Sequence, residues 1–158
     1  MSEELKSLSA RSRAELEQVQ RSAQRAQQLY EKARRAGDED FLQAAALDLQ
    51  ALYSGIENIF ETIAREIDGA LPSGPDWHRD LLLQMSADMR DRRPRVMRAE
   101  TLVCVDEYRR FRHVVRNVYT FNIRPQRVRE LVEELPECMN LVAADIESFC
   151  AFLEMPES

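Results

Sequence analysis

Glycine and proline are scarce in this chain, at four and six of 158 residues, while Ala, Leu, Glu, Gln and Arg, all good helix formers, are abundant. Charged residues make up 32%, a share that suits amphipathic helices better than a sheet buried on both faces. No strand pattern, internal repeat or low-complexity tract is present. Long apolar runs are also missing. None approaches the roughly 18 residues of a membrane span, and the start, Met1-Ser2-Glu3-Glu4, is polar and unlike a signal peptide. Cysteine is limited to Cys104, Cys138 and Cys150, with no close pair such as Cys-x-x-Cys. Each sits in an apolar helical context, so reduced core thiols are expected. Histidine is limited to His78 and His113, with no partner at metal-ligand spacing, so neither a metal site nor a cofactor is expected. The chain reads as cytoplasmic, with no membrane association. Residues 1–158 read as a single domain.

Lysine is the scarcest charge: only Lys6 and Lys32 among 22 cations. The arginines are unevenly spread. Residues 90–129 hold twelve arginines against four acids, a net of +8, which leaves −14 for the rest of a chain whose total is −6. Charge segregated in this way predicts a basic surface on an acidic body, suited to phosphate-rich partners. Arginine is the better bidentate phosphate binder, although a GC-rich genome produces the same bias.

Periodicity divides the chain into five helices. Residues 3–36 carry a thin stripe (Leu5, Leu8, Leu16, Val19, Ala23, Ala26, Tyr30), stopped by Gly37-Asp38 with Arg34 and Arg35 in the last turn. Residues 40–69 give the cleanest core stripe, Leu42, Ala45, Leu49, Leu52, Tyr53, Ile56, Ile59, Phe60, Ile63 and Ile67, ended by Gly69 and a Pro- and Gly-rich loop. Asp76 predicts an N-cap for a helix from Trp77 to about Asp91, with Leu82, Met85 and Met89 inward. His78, at its start, reads as structural. Pro94 predicts the first residue of the next helix, about 95–119, with Val96, Ala99, Val103, Phe111, Val114, Val115 and Val118 buried. A loop around Arg124-Pro125 leads to a last helix over about 126–154, in which Pro136 predicts a kink or a split near Leu135. Five antiparallel helices with short connections make an all-α, up-and-down bundle.

The arginines concentrate around Tyr108–Tyr119. Residues three, four and seven apart share a helix face. Arg109, Arg112, Arg116 and Tyr119 therefore align, and His113 and Asn117 form a neighbouring row, while Phe111, Val114, Val115 and Val118 point elsewhere. Guanidinium groups bind phosphate, and an imidazole can move protons. A polar face on a bundle helix is ordinarily just solvated; that reading leaves the segregation of charge unexplained.

The run Phe111-Arg112-His113-Val114-Val115-Arg116-Asn117-Val118-Tyr119 resembles the signature of HEPN-domain proteins, specifically the HepT-like ribonuclease toxins, in which Arg is followed about five residues later by His and then by x-Tyr. Two flanks are also similar: Leu52-Tyr53-Ser54-Gly55-Ile56-Glu57-Asn58-Ile59-Phe60-Glu61 and Trp77-His78-Arg79-Asp80-Leu81-Leu82. The resemblance spans roughly residues 40–130. It implies a HEPN-like bundle in a symmetric homodimer, whose paired motifs flank a basic cleft. It implies metal-independent endoribonuclease activity, on tRNA or another RNA, by a toxin of a type II/VII-like toxin–antitoxin pair. It also implies a partner, an MNT-type nucleotidyltransferase antitoxin that adenylylates the motif tyrosine, here Tyr119. The implied catalytic set is Arg112, His113, Asn117 and Tyr119, with Arg109, Arg110, Arg116 and Arg124 binding RNA.

One position departs from the signature: Asn117 stands where the family has its catalytic histidine. An amide cannot shuttle a proton near neutral pH. Either His113, one turn earlier, takes that role, or the exchange silences the chain, by nature or by engineering. The silent form would serve as a binding partner of a nucleotidyltransferase. Arg112 and Asn117 also lie about 140° apart around a helix, which a facing second chain would reconcile.

Overall fold

The computed structural model describes residues 2–117 and 123–156. Within them the secondary structure is helical: α1 (Glu3–Ala36), α2 (Asp40–Ile63), α3 (Trp77–Met85), α4 (Ala99–Asn117) and α5 (Pro125–Leu153). A single π-helical turn, Ala64–Asp68, extends α2. The expected all-α bundle is the observed one.

Cross-helix contacts fix the directions. Arg11 pairs with Glu66, placing the start of α1 beside the end of α2. Arg13 reaches Glu147 and Tyr30 reaches Glu133, so α1 runs antiparallel to α5. Arg98 meets Asp145 at one end of α4 and Tyr108 meets Leu131 further along, so α4 also runs antiparallel to α5. The four long helices thus alternate up and down, with α3 packed across α2 and α4.

The core stripe of α2 lies at the centre. Leu52, Tyr53, Ile56, Ile59, Phe60 and Ile63 are all buried. Each aliphatic side chain buried this fully stabilises the fold by about 1.5–3 kcal/mol. Gly55 faces α1 at close range: a Cβ there would lie 2.6 Å from Val19 Cγ2.

Several boundaries differ from expectation. The α2 pattern was expected to run helically to Gly69, but α-geometry ends at Ile63 and the chain widens into the π turn. Helix α3 stops at Met85, not Asp91, and α4 begins at Ala99, not Arg95. Residues 86–98 instead form a folded loop. Met89 and Arg93 exchange backbone hydrogen bonds, and Asp91 adopts a left-handed φ of 72°. The backbone N–H groups of Val96 and Met97 donate to the Met85 carbonyl, burying both side chains.

The reason is a buried ion pair. Arg93 donates to both carboxylate oxygens of Asp68, at 2.6 and 2.7 Å, and to the carbonyls of Gln84, Ala87 and Pro94. Both side chains are sealed, at 0% and 1% exposure. Arg92 adds hydrogen bonds to the carbonyls of Ile67 and Asp68 at the end of the π turn. Tertiary bonds of this strength outweigh the weak helical propensity of the loop.

A kink or a split was expected at Pro136; helix α5 is continuous through it, so there is no split. Its apolar stripe is buried on both sides of the proline, from Val128 to Leu135 and from Cys138 to Leu153, and the helix packs against α1, α2 and α4. The buried face of α4 is also rotated from expectation. Thr101, Val105, Tyr108 and Phe111 are buried, whereas Val103 and Val114 are 67% and 51% exposed. Tyr108 sets this register: its hydroxyl donates to the Leu131 carbonyl at 2.7 Å inside the core.

The cysteines also differ from expectation. Cys104 on α4 and Cys138 on α5 form a disulfide, with Cα atoms 5.8 Å apart, and Cys150 is the free, buried thiol. The two are 34 residues apart in sequence and meet only because antiparallel α4 and α5 place them opposite each other.

Candidate functional site

A cleft of about 390 Å³ opens between α2, the start of α3 and the C-terminal half of α4. From α4 come Arg109, Arg112, His113, Arg116 and Asn117; from the α3 side come Pro75, Asp76, His78 and Arg79; Tyr53 of α2 also lines it. Four guanidinium groups and two imidazoles thus face one cavity, with Asp76 the one carboxylate among the lining residues. The charge suits a polyanion.

Helical spacing explains the α4 contribution. Both rows expected from the sequence, Arg109/Arg112/Arg116 and His113/Asn117, border this one cleft. The angular separation of Arg112 and Asn117 therefore does not keep them from sharing a cavity within one chain.

Each member is held differently. Arg112 is half-buried, and its Nε donates to Ser54 Oγ of α2 at 3.0 Å. Among the described residues it has no carboxylate at ion-pair distance, so its charge is available to the cleft. Arg116 is exposed and likewise has no such partner among the described residues. Arg109 borders the cleft but pairs with Asp106 at 2.6 Å. Arg110 lies outside the cleft, paired with Asp106 and Glu107. Arg124 is exposed at the N-cap of α5 and does not line the cavity. Tyr119 lies outside the described residues. The Asn117 amide donates to the His113 carbonyl of its own helix at 2.6 Å.

Pairing changes the meaning of the arginine-rich segment. Arg93, Arg98, Arg109, Arg110, Arg127 and Arg129 each meet a carboxylate, several of them from outside residues 90–129. The basic surface is accordingly narrower than the sequence count implies, and Arg112 and Arg116 are the α4 arginines of the cleft that meet no carboxylate among the described residues.

Sequence reasoning missed the floor of the cleft. The Tyr53 hydroxyl donates to Glu57 Oε2 at 2.9 Å, and His78 Nδ1 lies 2.6 Å from the same oxygen. Tyr53 and Glu57 are 0% and 5% exposed. Burial, and then the Glu57 charge, push the Tyr53 phenol far above its ordinary value, so it remains a proton donor. Trp77 stacks on the His78 ring with centroids 3.7 Å apart. Asp76, expected as a capping side chain, makes no capping bond and borders the cleft instead. One signal was present in the sequence: Glu57 stands four residues after Tyr53 within a core stripe, and a carboxylate there requires donors from elsewhere in the fold.

Among the described residues, no group of three or more His, Cys, Asp or Glu is arranged to hold a metal ion, and no helix is long and apolar enough to cross a membrane. No curated protein and no solved structure matches the chain significantly. A family model described as HepT-like protein matches residues 44–153, from the first turns of α2 to the end of α5 and including every described residue that lines the cleft. With the helical bundle and the arginine-bearing end of α4 in place, the chain belongs to the HepT-like, HEPN-type family.

Proposed function

We propose that the cleft binds the RNA backbone and that the protein is the toxin of a toxin–antitoxin pair, a metal-independent endoribonuclease. The observation that carries this reading is the Arg112 guanidinium, positioned by Ser54 and facing a cavity it shares with Arg109, Arg116, His78 and His113. Such a group stabilises the charge that develops on phosphorus as the ribose 2′-oxygen attacks. The products are a cyclic phosphate and a 5′-hydroxyl end. Restraint follows the family pattern, with an MNT-type nucleotidyltransferase placing AMP on Tyr119, two residues after the cleft residue Asn117 in the sequence, which adds negative charge and bulk to the motif. The active form is a homodimer. In support, Val103 and Val114 project from the outer face of α4, only about 20° apart around the helix.

A second reading has its own observation. Asn117 spends its amide on its own helix backbone and offers no proton-transfer group. On that reading the chain is a silent HEPN subunit that binds the nucleotidyltransferase.

The test uses total tRNA without divalent metal. Cleavage by the parent protein that is lost in Arg112→Ala supports the nuclease. A silent parent with an active Asn117→His variant establishes the silent subunit, and silence in both defeats the nuclease reading. Incubation with ATP and an MNT-type nucleotidyltransferase is expected to add one AMP to the peptide holding Tyr119.

A further inference from the structure

The site lacks its family histidine at position 117, yet an imidazole held like a catalytic one stands on the opposite wall. Glu57 is buried on α2 and has no cationic Arg or Lys at ion-pair distance among the described residues. A buried carboxylate must be met by donors. Tyr53 supplies one, and His78 Nδ1, 2.6 Å from the same oxygen, supplies the other when that nitrogen carries the ring proton. The lone pair is then left on Nε2, on the far edge of the ring. Trp77 fixes the plane of that ring by stacking. His78 retains 29% side-chain exposure and borders the cleft with Arg109, Arg112 and His113. His113, by contrast, is exposed and makes no side-chain hydrogen bond among the described residues.

We propose that His78 is the proton-transfer group of this cleft, with Glu57 and Tyr53 as positioning residues that hold its Nε2 ready to accept. The proposal rests on the nuclease reading above. As the 2′-oxygen bonds to phosphorus, its proton passes to His78 Nε2. The bond from phosphorus to the 5′-oxygen breaks, and that oxygen takes a proton from solvent. His78 returns its own proton to solvent, so no proton is gained or lost overall. Arg112, across the cleft, carries the phosphoryl charge.

The experiment compares the full-length parent with His78→Asn, His113→Asn and Asn117→His, measuring tRNA cleavage and, separately, RNA affinity by fluorescence anisotropy. The expected result is a loss of about 100- to 10,000-fold in rate for His78→Asn with affinity retained, and a smaller loss for His113→Asn. Imidazole added to His78→Ala restores part of the rate, which a merely structural role would not allow. A His78→Asn variant as fast as the parent overturns the proposal and leaves the nuclease standing. A silent parent made active by Asn117→His also overturns it, since His78 would then be insufficient. Silence in all variants overturns the nuclease reading and this proposal together. Nitrogen-15 NMR reads the imidazole independently of turnover. The parent is expected to show the Nδ1–H form and an Nε2 shift on adding a 2′-deoxy oligonucleotide, and Glu57→Gln to lose that preference. A proton on Nε2 in the parent overturns the proposal whatever the cleavage assays show.

Discussion

Arg93 and Arg112 come from the same arginine-rich run, and the fold uses them in opposite ways. Arg93 is sealed between α3 and the π turn, with its fork on Asp68 and its remaining donors on three carbonyls. Its charge is consumed by the structure. Arg112 holds one neutral partner, Ser54, and its charge is left to the cleft. The identity of the residue does not separate them; the company it keeps does. A buried arginine with a complete set of acceptors is architecture, whereas one held by a single hydroxyl beside other cations is a candidate binding group.

The sharpest way to break the comparison is to remove Arg93. Arg93→Ala leaves Asp68 buried without a counter-charge, and urea denaturation is expected to show a loss of about 3–5 kcal/mol. The double variant Arg93→Met, Asp68→Leu should recover much of that loss, because an apolar pair needs no compensation. A single variant as stable as the parent would show that the pair is not structural.

Arg112→Ala should behave in the opposite sense. Losing one hydrogen bond to Ser54 costs about 0.5–1.5 kcal/mol of stability. The rate of RNA cleavage should fall about 100- to 1,000-fold, as for loss of a group that stabilises developing charge. Equal damage to folding and to cleavage would erase the distinction between the two arginines.

Alkaline titration examines the floor of the cleft against the core of α4. Burial chiefly, aided by Glu57 for Tyr53 and Glu134 for Tyr108, raises both phenols above their ordinary 10.0. A raised folded-state value means that the stability contribution is complete below pH 10.0 and is lost as pH rises further. Each tyrosine should contribute a slope of about 1.4 kcal/mol per pH unit above that point, seen as loss of helical circular dichroism with tyrosinate absorbance. Tyr53→Phe should lower the slope by one tyrosine's share.

The smallest effect belongs to Arg110. It is 58% exposed and paired with Asp106 and Glu107 outside the cleft. Arg110→Ala is expected to alter stability by less than about 0.5 kcal/mol. If it touches no phosphate, the salt dependence of RNA binding will match the parent, whereas Arg112→Ala should lower that slope by about one.

The sequence by itself determined the helices, because amphipathic spacing is a local property. The stripes of α1, α2 and α5 could be read before folding, as could the alignment of Arg109, Arg112 and Arg116 on one face of α4. It also carried the family motif and the exchange at Asn117. Helix ends around residues 86–98 were not legible, because a pair formed across the chain, Arg93 with Asp68, decides them. The Cys104–Cys138 bond was hidden for the same reason, as α4 and α5 must pack before the sulfurs meet. So was the cleft floor. Tyr53 and Glu57 share a face of α2, but His78 joins them only when α3 folds back against that face. Local periodicity fixes which way a side chain leaves its helix, and only packing between helices decides what it meets.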